Sequence, residues 1–142
     1  MKHYTTIEQS KKLLELGLNP KSADMWWLYV TAQGKHIAMM YEEPDSHYLA
    51  RMESYGIQDA AIPCWSLGAL LDVMPKIKEF YYPSLYKASF SVTACMYSTQ
   101  DHDIFKIYTG EDFLEAAFNM VVYLLENGYI KGFQSQNTIN KM

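Results

Sequence analysis

Between Phe113 and Leu125 the chain carries a helical pattern with almost no side to offer to water. Phe113, Leu114, Phe118, Met120, Val121, Val122, Leu124 and Leu125 are apolar, while Asp112, Glu115, Asn119 and Glu126 fall on one narrow stripe. An ordinary surface helix has a wider polar side. This one therefore predicts either the central core helix or a helix shared with a second subunit. Glu115 and Asn119 interrupt it, and it is too short to span a bilayer. Thr109 or Gly110 is positioned to cap it, Glu111 and Asp112 suit its first turn, where the helix dipole favours negative charge, and Gly128 stops it.

The rest of the chain has to supply the walls around that helix. Met25 to Val30 mixes aromatic and branched residues and reads as a strand. Both of its faces are apolar, so either it is covered on both sides or one face meets a partner. Gln33-Gly34-Lys35 is a turn, and His36 to Tyr41 is the return strand of a hairpin. Lys87 to Tyr97 reads as one strand, with Ala88, Phe90, Val92, Ala94 and Met96 on a buried face. Ser89, Ser91, Thr93 and Cys95 lie on a more polar one. Ser98 to Asp103 is a polar turn, and Ile104 to Tyr108 returns.

Two further helices are expected. One runs from about Ile7 to Leu16, opened by the capping-box pattern Thr6-x-x-Gln9 and stopped by Gly17 and Asn19-Pro20. The other runs from Leu67 to Met74, capped by Ser66, preceded by the extended segment Ile62-Pro63-Cys64-Trp65 and ended by Pro75. Glu42 to Gln58 reads as loop or as a short helix with Tyr48, Met52 and Tyr55 on one side. Phe80-Tyr81-Tyr82-Pro83 reads as an aromatic connector. Hairpins demand antiparallel pairing. The expected class is α+β: an antiparallel sheet of two hairpins with about three helices packed on one face. Residues 1–131 are expected to form a single domain, and the polar stretch 132–142 a flexible tail.

A chain of 142 residues with 49% hydrophobic and 20% charged residues can bury a core without disulfide or metal staples. Its net charge of −4, with no stripe of Lys and Arg, argues against sequence-independent nucleic-acid binding. Lys76 and Lys78 are local exceptions. No apolar stretch follows the N-terminus as a secretory signal requires, so a cytoplasmic protein with two reduced, buried cysteines, Cys64 and Cys95, is the expectation.

Motifs that carry chemistry are sparse. Asp101-His102-Asp103 offers metal-ligand residue types, but neighbouring side chains diverge, and a solvated hairpin tip is the simpler reading. Cys64 precedes a helix N-terminus, which can activate a thiol, and His36, His47 or His102 could in principle serve as its base. Nothing in the spacing selects one of them. Ser66 lacks the glycine pattern of a nucleophile elbow. Glu42, Glu43 and Asp45 lack the spacing of a calcium loop. No phosphate-binding glycine motif occurs. No catalytic residue, cofactor or metal site is assigned. The aromatic clusters remain: Trp26, Trp27 and Tyr29 on the two-faced strand, and Tyr81, Tyr82 and Tyr86 further on. They are candidates for a protein interface or a ligand-stacking wall, or they fill the rim of the core.

The stretches Ile7 to Leu18, Pro63 to Leu71, and Ala116 to Gly128 together resemble a family of short uncharacterised proteins of gut Bacteroidetes, often found in prophages or other mobile elements. That family has no established activity to carry over. The resemblance implies a small accessory protein of a phage or mobile element. The residues themselves point first to a non-enzymatic binding or interaction protein, with an unknown protein partner or self-association. A small-ligand binder, for example of nucleotides, comes second. A thiol or metal-dependent hydrolase comes third.

Overall fold

A computed structural model gives the fold of residues 3–40, 42–87 and 92–131. The first helix, α1 (Ile7–Glu15), starts where the capping box places it. The Thr6 hydroxyl accepts from the Gln9 amide at 3.0 Å, and the Gln9 side chain accepts from the Thr6 amide at 2.9 Å. Two backbone donors that a helix start leaves unpaired are thereby satisfied. Gly17, at φ 95°, turns the chain out of the helix in a conformation open to glycine.

Strand β1 (Met25–Val30) forms the expected hairpin with β2 (Lys35–Met39), Trp27 opposite Ala38. On its other side it pairs antiparallel with β3 (Ala61–Cys64), Trp26 opposite Pro63. The two-faced sequence of β1 thus belongs to the centre of a three-stranded sheet, β2-β1-β3. Tyr41, the expected end of the return strand, lies outside the described residues. Within 42–58 the chain forms α2 (Ser46–Ser54), capped by Asp45 through the Tyr48 amide at 2.8 Å. Met52 is buried under it, and the Tyr48 hydroxyl donates to the carbonyl of Tyr29 at 2.8 Å. Tyr55, expected on the same side, is exposed.

Helix α3 (Leu67–Asp72) is capped by Ser66 as expected. A second layer of support comes from Asp24, whose carboxylate accepts from both the amide and the hydroxyl of Ser66. Strands β4 (Tyr82–Lys87), β5 (Thr93–Ser98) and β6 (Ile104–Gly110) form a second antiparallel sheet in that order. The single strand expected over Lys87–Tyr97 is therefore corrected: Lys87 ends β4 and Thr93 begins β5. Residues 88–91 lie outside the described residues. The supposed connector Tyr82-Pro83 opens β4. Proline is tolerated there because β4 is an edge strand, free to lack one ladder donor.

Helix α4 (Phe113–Glu126) is capped by Asp112, whose side chain accepts from the Glu115 amide at 2.9 Å. The expected caps Thr109 and Gly110 instead end β6. A side chain on Gly110 would meet the Ala116 backbone at 2.7 Å, so its hydrogen lets β6 tuck under the first turn of α4. Leu114, Ala117, Met120, Val121 and Leu124 are buried on α4, packed with Leu13, Trp65, Leu70, Cys95 and Tyr97. These contacts make α4 the central core element, one of the two roles expected for it. The fold is α+β, and the two expected hairpins lie in separate sheets, each completed by a third strand.

Candidate functional site

The β4–β6 sheet has an inner face, on which α4 packs against β5 and β6, and an opposite, outer face. Strand pairing determines which side chains share each face. Opposite residues in an antiparallel ladder project to the same side, and neighbours alternate. Cys95 faces Leu85 and Tyr108, and Tyr97 faces Pro83 and Lys106. Cys95 and Tyr97 are fully buried, so this is the inner row. The outer row follows: Tyr82, Ser84 and Tyr86 from β4, Ala94, Met96 and Ser98 from β5, Ile104, Ile107 and Thr109 from β6.

The expected sides of β5 hold only in part. Ala94 is buried as expected, but Thr93 and Cys95, expected on the more polar face, are buried too, and Met96, expected on the buried face, is half-buried on the outer one. The physical reason is hydrogen bonding. Thr93 donates its hydroxyl to Gly110 O at 2.9 Å, and Tyr97 donates its hydroxyl to Pro75 O at 2.8 Å. Polar groups satisfied inside the fold can be buried at little cost, which leaves Met96 half-buried on the outer side, where Ala94 is itself covered.

The outer row contains no charged side chain. Tyr82 and Tyr86 are each 42% exposed, Ile107 39% and Ile104 57%. A sheet face left in water normally alternates to polar residues. Charges sit only at the margin. The Lys76 ammonium lies 5.4 Å from the Tyr82 ring centre, and Asp101 and Asp103 line a shallow depression with Phe80 and Tyr82.

The sequence candidates divide accordingly. Tyr82 is on this face, whereas Tyr81 turns inward onto Phe105, with ring centres 5.3 Å apart. Phe105 continues to Tyr129 and Tyr123 in an aromatic chain along the inner margin. There Lys78 lies over the Phe105 ring, and Lys106 over Tyr123 at 4.8 Å. Trp27 donates its indole N–H to Thr5 O at 3.0 Å and meets Tyr4 edge-on, which ties β1 to the N-terminal segment. Tyr29 lies edge-on to His36, whose Nε2 donates to Asp59 O at 2.7 Å. Trp26 faces the other way. It lines a cleft of about 380 Å³ with Pro20, Lys21, Ala23, Asp24, Glu42 and Glu43. Asp45 caps α2, and His47 is exposed on it.

Cys64 is sealed, with no exposed surface. Its thiol donates to Thr5 O at 3.4 Å and receives the Thr5 hydroxyl at 3.8 Å, and burial pushes its pKa up to about 11. A nucleophilic thiolate needs the opposite environment. Cys95, against the Met74 sulfur, is pushed up to about 12 by burial. His102 sits in a left-handed turn at φ 67° and is exposed, its amide donating to Thr99 O at 3.0 Å. Among the described residues no three His, Cys, Asp or Glu side chains converge as a metal-holding group. No helix among them is long and apolar enough to cross a membrane. The residues that sequence reasoning missed are Met96, Ile104 and Ile107. The signal available was that Ile104 and Ile107 cannot both follow one alternation unless β6 is irregular. Phe105 is indeed the extra residue of a bulge opposite Tyr97/Ser98.

No protein-family model, no curated protein and no solved structure matches the chain.

Proposed function

We propose that this chain is a non-enzymatic interaction protein that works by presenting the outer face of β4–β6 to another protein surface. The observation that carries the reading is the uncharged outer row, with Tyr82, Tyr86, Ile104 and Ile107 exposed together. Contiguous exposed apolar surface of this kind marks contact sites, and tyrosine is favoured where one end of a side chain is dry and the other wet. The resemblance to short proteins of prophages and mobile elements supports an accessory role inside a bacterial cell. The sealed, poorly acidic thiol of Cys64 supports the non-enzymatic part of the reading.

The test is a photoreactive benzophenone side chain placed at Ile107, compared with the same group at the exposed Leu49 of α2. The Ile107 probe is expected to give a saturable, discrete product that excess unlabelled protein competes away. The Leu49 probe is expected to give none. Equal labelling from both positions sinks the reading.

A second reading rests on the Trp26 cleft. At about 380 Å³ it is the size of a small-molecule site, with an indole wall. Asp24, Glu42 and Glu43 outnumber Lys21 around it, so a nucleotide phosphate is repelled and a small organic cation is the favoured ligand class. Thermal melting with nucleotides and with arginine, spermidine and choline separates these ligands. A flat response to all of them removes this reading.

A further inference from the structure

We infer that the free edge of β2 is a docking site for an extended segment of another polypeptide, which adds to the β2-β1-β3 sheet as a further strand. The site is separate from the outer face of β4–β6 and does not rest on that reading. Its origin is the phase of the β1 ladder. In an antiparallel sheet the amide and carbonyl of one residue turn to the same side, and successive residues alternate. The Tyr29 amide donates to Ala60 O at 2.8 Å, so the Tyr29 backbone turns towards the β3 side. Leu28 and Val30 therefore turn towards β2, where they meet Ile37 and Lys35. His36 and Ala38 then point their amides and carbonyls away from β1, at the free edge of the sheet. Among the described residues none of these backbone groups has a hydrogen-bond partner.

The other sheet edges are closed to strand addition. Proline, bulges and covering segments protect an edge. β3 contains Pro63, and its continuation is covered by the N-terminal segment. There the Thr5 amide donates to Trp65 O at 2.9 Å and the Leu67 amide to His3 O at 3.2 Å. β4 carries Pro83, and β6 is bent by the bulge at Phe105. β2 has neither device, and it pairs with β1 without a break from Lys35 to Met39. After Lys35, which opens it, the strand contains no Lys, Arg, Asp or Glu.

Main-chain hydrogen bonds give such a contact its affinity, and side chains select the partner. Lys35 stands at the start of β2, and Glu42 and Glu43 follow its end, all exposed. Antiparallel pairing is the more stable arrangement and the one both existing ladders of this sheet use. An antiparallel segment enters at the Glu42–Glu43 end and leaves at Lys35. Charge complementarity therefore selects a segment that is basic in its first residues, uncharged through its middle and acidic at its end. A second copy of the chain matches this less well. Pairing the whole of β2 with itself sets Lys35 opposite Met39 and directs Glu42 and Glu43 to the uncharged turn Thr31–Gly34. It also brings together chains that each carry a net charge of −4.

The probe is a short capped peptide with lysines at its N-terminal end, alternating valine and threonine in its middle and a glutamate at its C-terminal end, carrying fluorescein. It is expected to bind the whole chain saturably in fluorescence polarisation, at least about fivefold more tightly than the same peptide with its charges exchanged end for end. N-methylation of one alternate set of its amides is expected to weaken binding at least about tenfold, and N-methylation of the other set to leave it intact, because only one edge of the peptide faces β2. In the chain itself, the His36 and Ala38 amides are expected to exchange their hydrogens fast when free and at least about tenfold more slowly with saturating peptide, with no such change in β4 or β6. Ala38→Pro removes one outward donor and none of the bonds to β1, and is expected to weaken the peptide at least about tenfold. The exchange measurement uses the natural chain, so it decides the matter even where the proline variant fails to fold. No saturable binding up to about 1 mM, equal loss from both methylated peptides, or protection confined to other strands overturns the inference. A free chain already protected at His36 and Ala38, and more so as its concentration rises, gives the edge to a second copy and likewise overturns it.

Discussion

At the residue scale, Thr5 organises more of the molecule than any residue the motif search singled out. It is fully buried, and its hydroxyl sits 2.8 Å from that of Ser10 and accepts from the Trp65 amide at 3.0 Å. Its carbonyl receives the Trp27 indole and the Cys64 thiol. Burial in this network raises the pKa of the Cys64 thiol, against the lowering effect of its two contacts with Thr5. The thiols then dictate a pH response. Burial raises Cys64 from 9.0 to about 11 and Cys95 from 9.0 to about 12. Above pH 9 the unfolded chain loses these protons first, so unfolding is favoured as pH rises. Their contribution is fully present below the unfolded value of 9.0 and is lost as pH climbs through about 11 and 12. The urea midpoint is expected to fall between pH 9.0 and about 11, and both thiols are expected to resist iodoacetamide until the chain is denatured. A native protein alkylated at Cys64 as fast as the denatured chain contradicts this account. None of the network was legible in the sequence, because Thr5 before α1 and Ser10 within it are unremarkable until the end of β3 brings Trp65 beside them.

At the element scale, caps with a local pattern could be read and caps without one could not. Thr6 with Gln9, and Ser66 after an extended proline segment, announce helix starts from sequence alone. Asp112 was legible only as an acidic residue of the first turn, because Thr109 and Gly110 look equally suited to cap. What decides between them is the length of β6, which continues through Gly110 because β5 extends to meet it at Thr93. Asp112→Ala removes the acceptor for the Glu115 amide and is expected to lower stability by about 1 kcal/mol, read from the urea midpoint. Thr109→Ala is expected to change it by less than about 0.5 kcal/mol, since Thr109 is exposed on the outer face. The Lys87–Tyr97 reading failed for a related reason. An alternating run with strand propensity gives no local sign of where one strand ends and the next begins.

At the scale of the whole molecule, α4 is the hub, joined to α3, β5 and β6. Met120 sits at its middle with no exposed surface. Met120→Ala leaves a cavity that the surrounding Leu, Trp and Tyr side chains cannot close, and a loss of about 2 to 5 kcal/mol is expected in chemical denaturation. A loss below about 1 kcal/mol contradicts the role given to this helix. The sequence by itself determined the α+β class, both hairpins, the starts of α1 and α3 and the burial of α4. Each of these follows from periodicity, capping or turn chemistry within a few residues. Only the tertiary structure decided that the hairpins lie in two sheets, that Thr93 and Tyr97 point inward, and that Tyr82, Tyr86, Ile104 and Ile107 share one uncharged outer face. Alternation separates the two sides of a strand but does not say which side is wet. That is settled by where Pro75 and Gly110 place the carbonyls that let Tyr97 and Thr93 be buried, and by the side of the sheet on which α4 comes to rest.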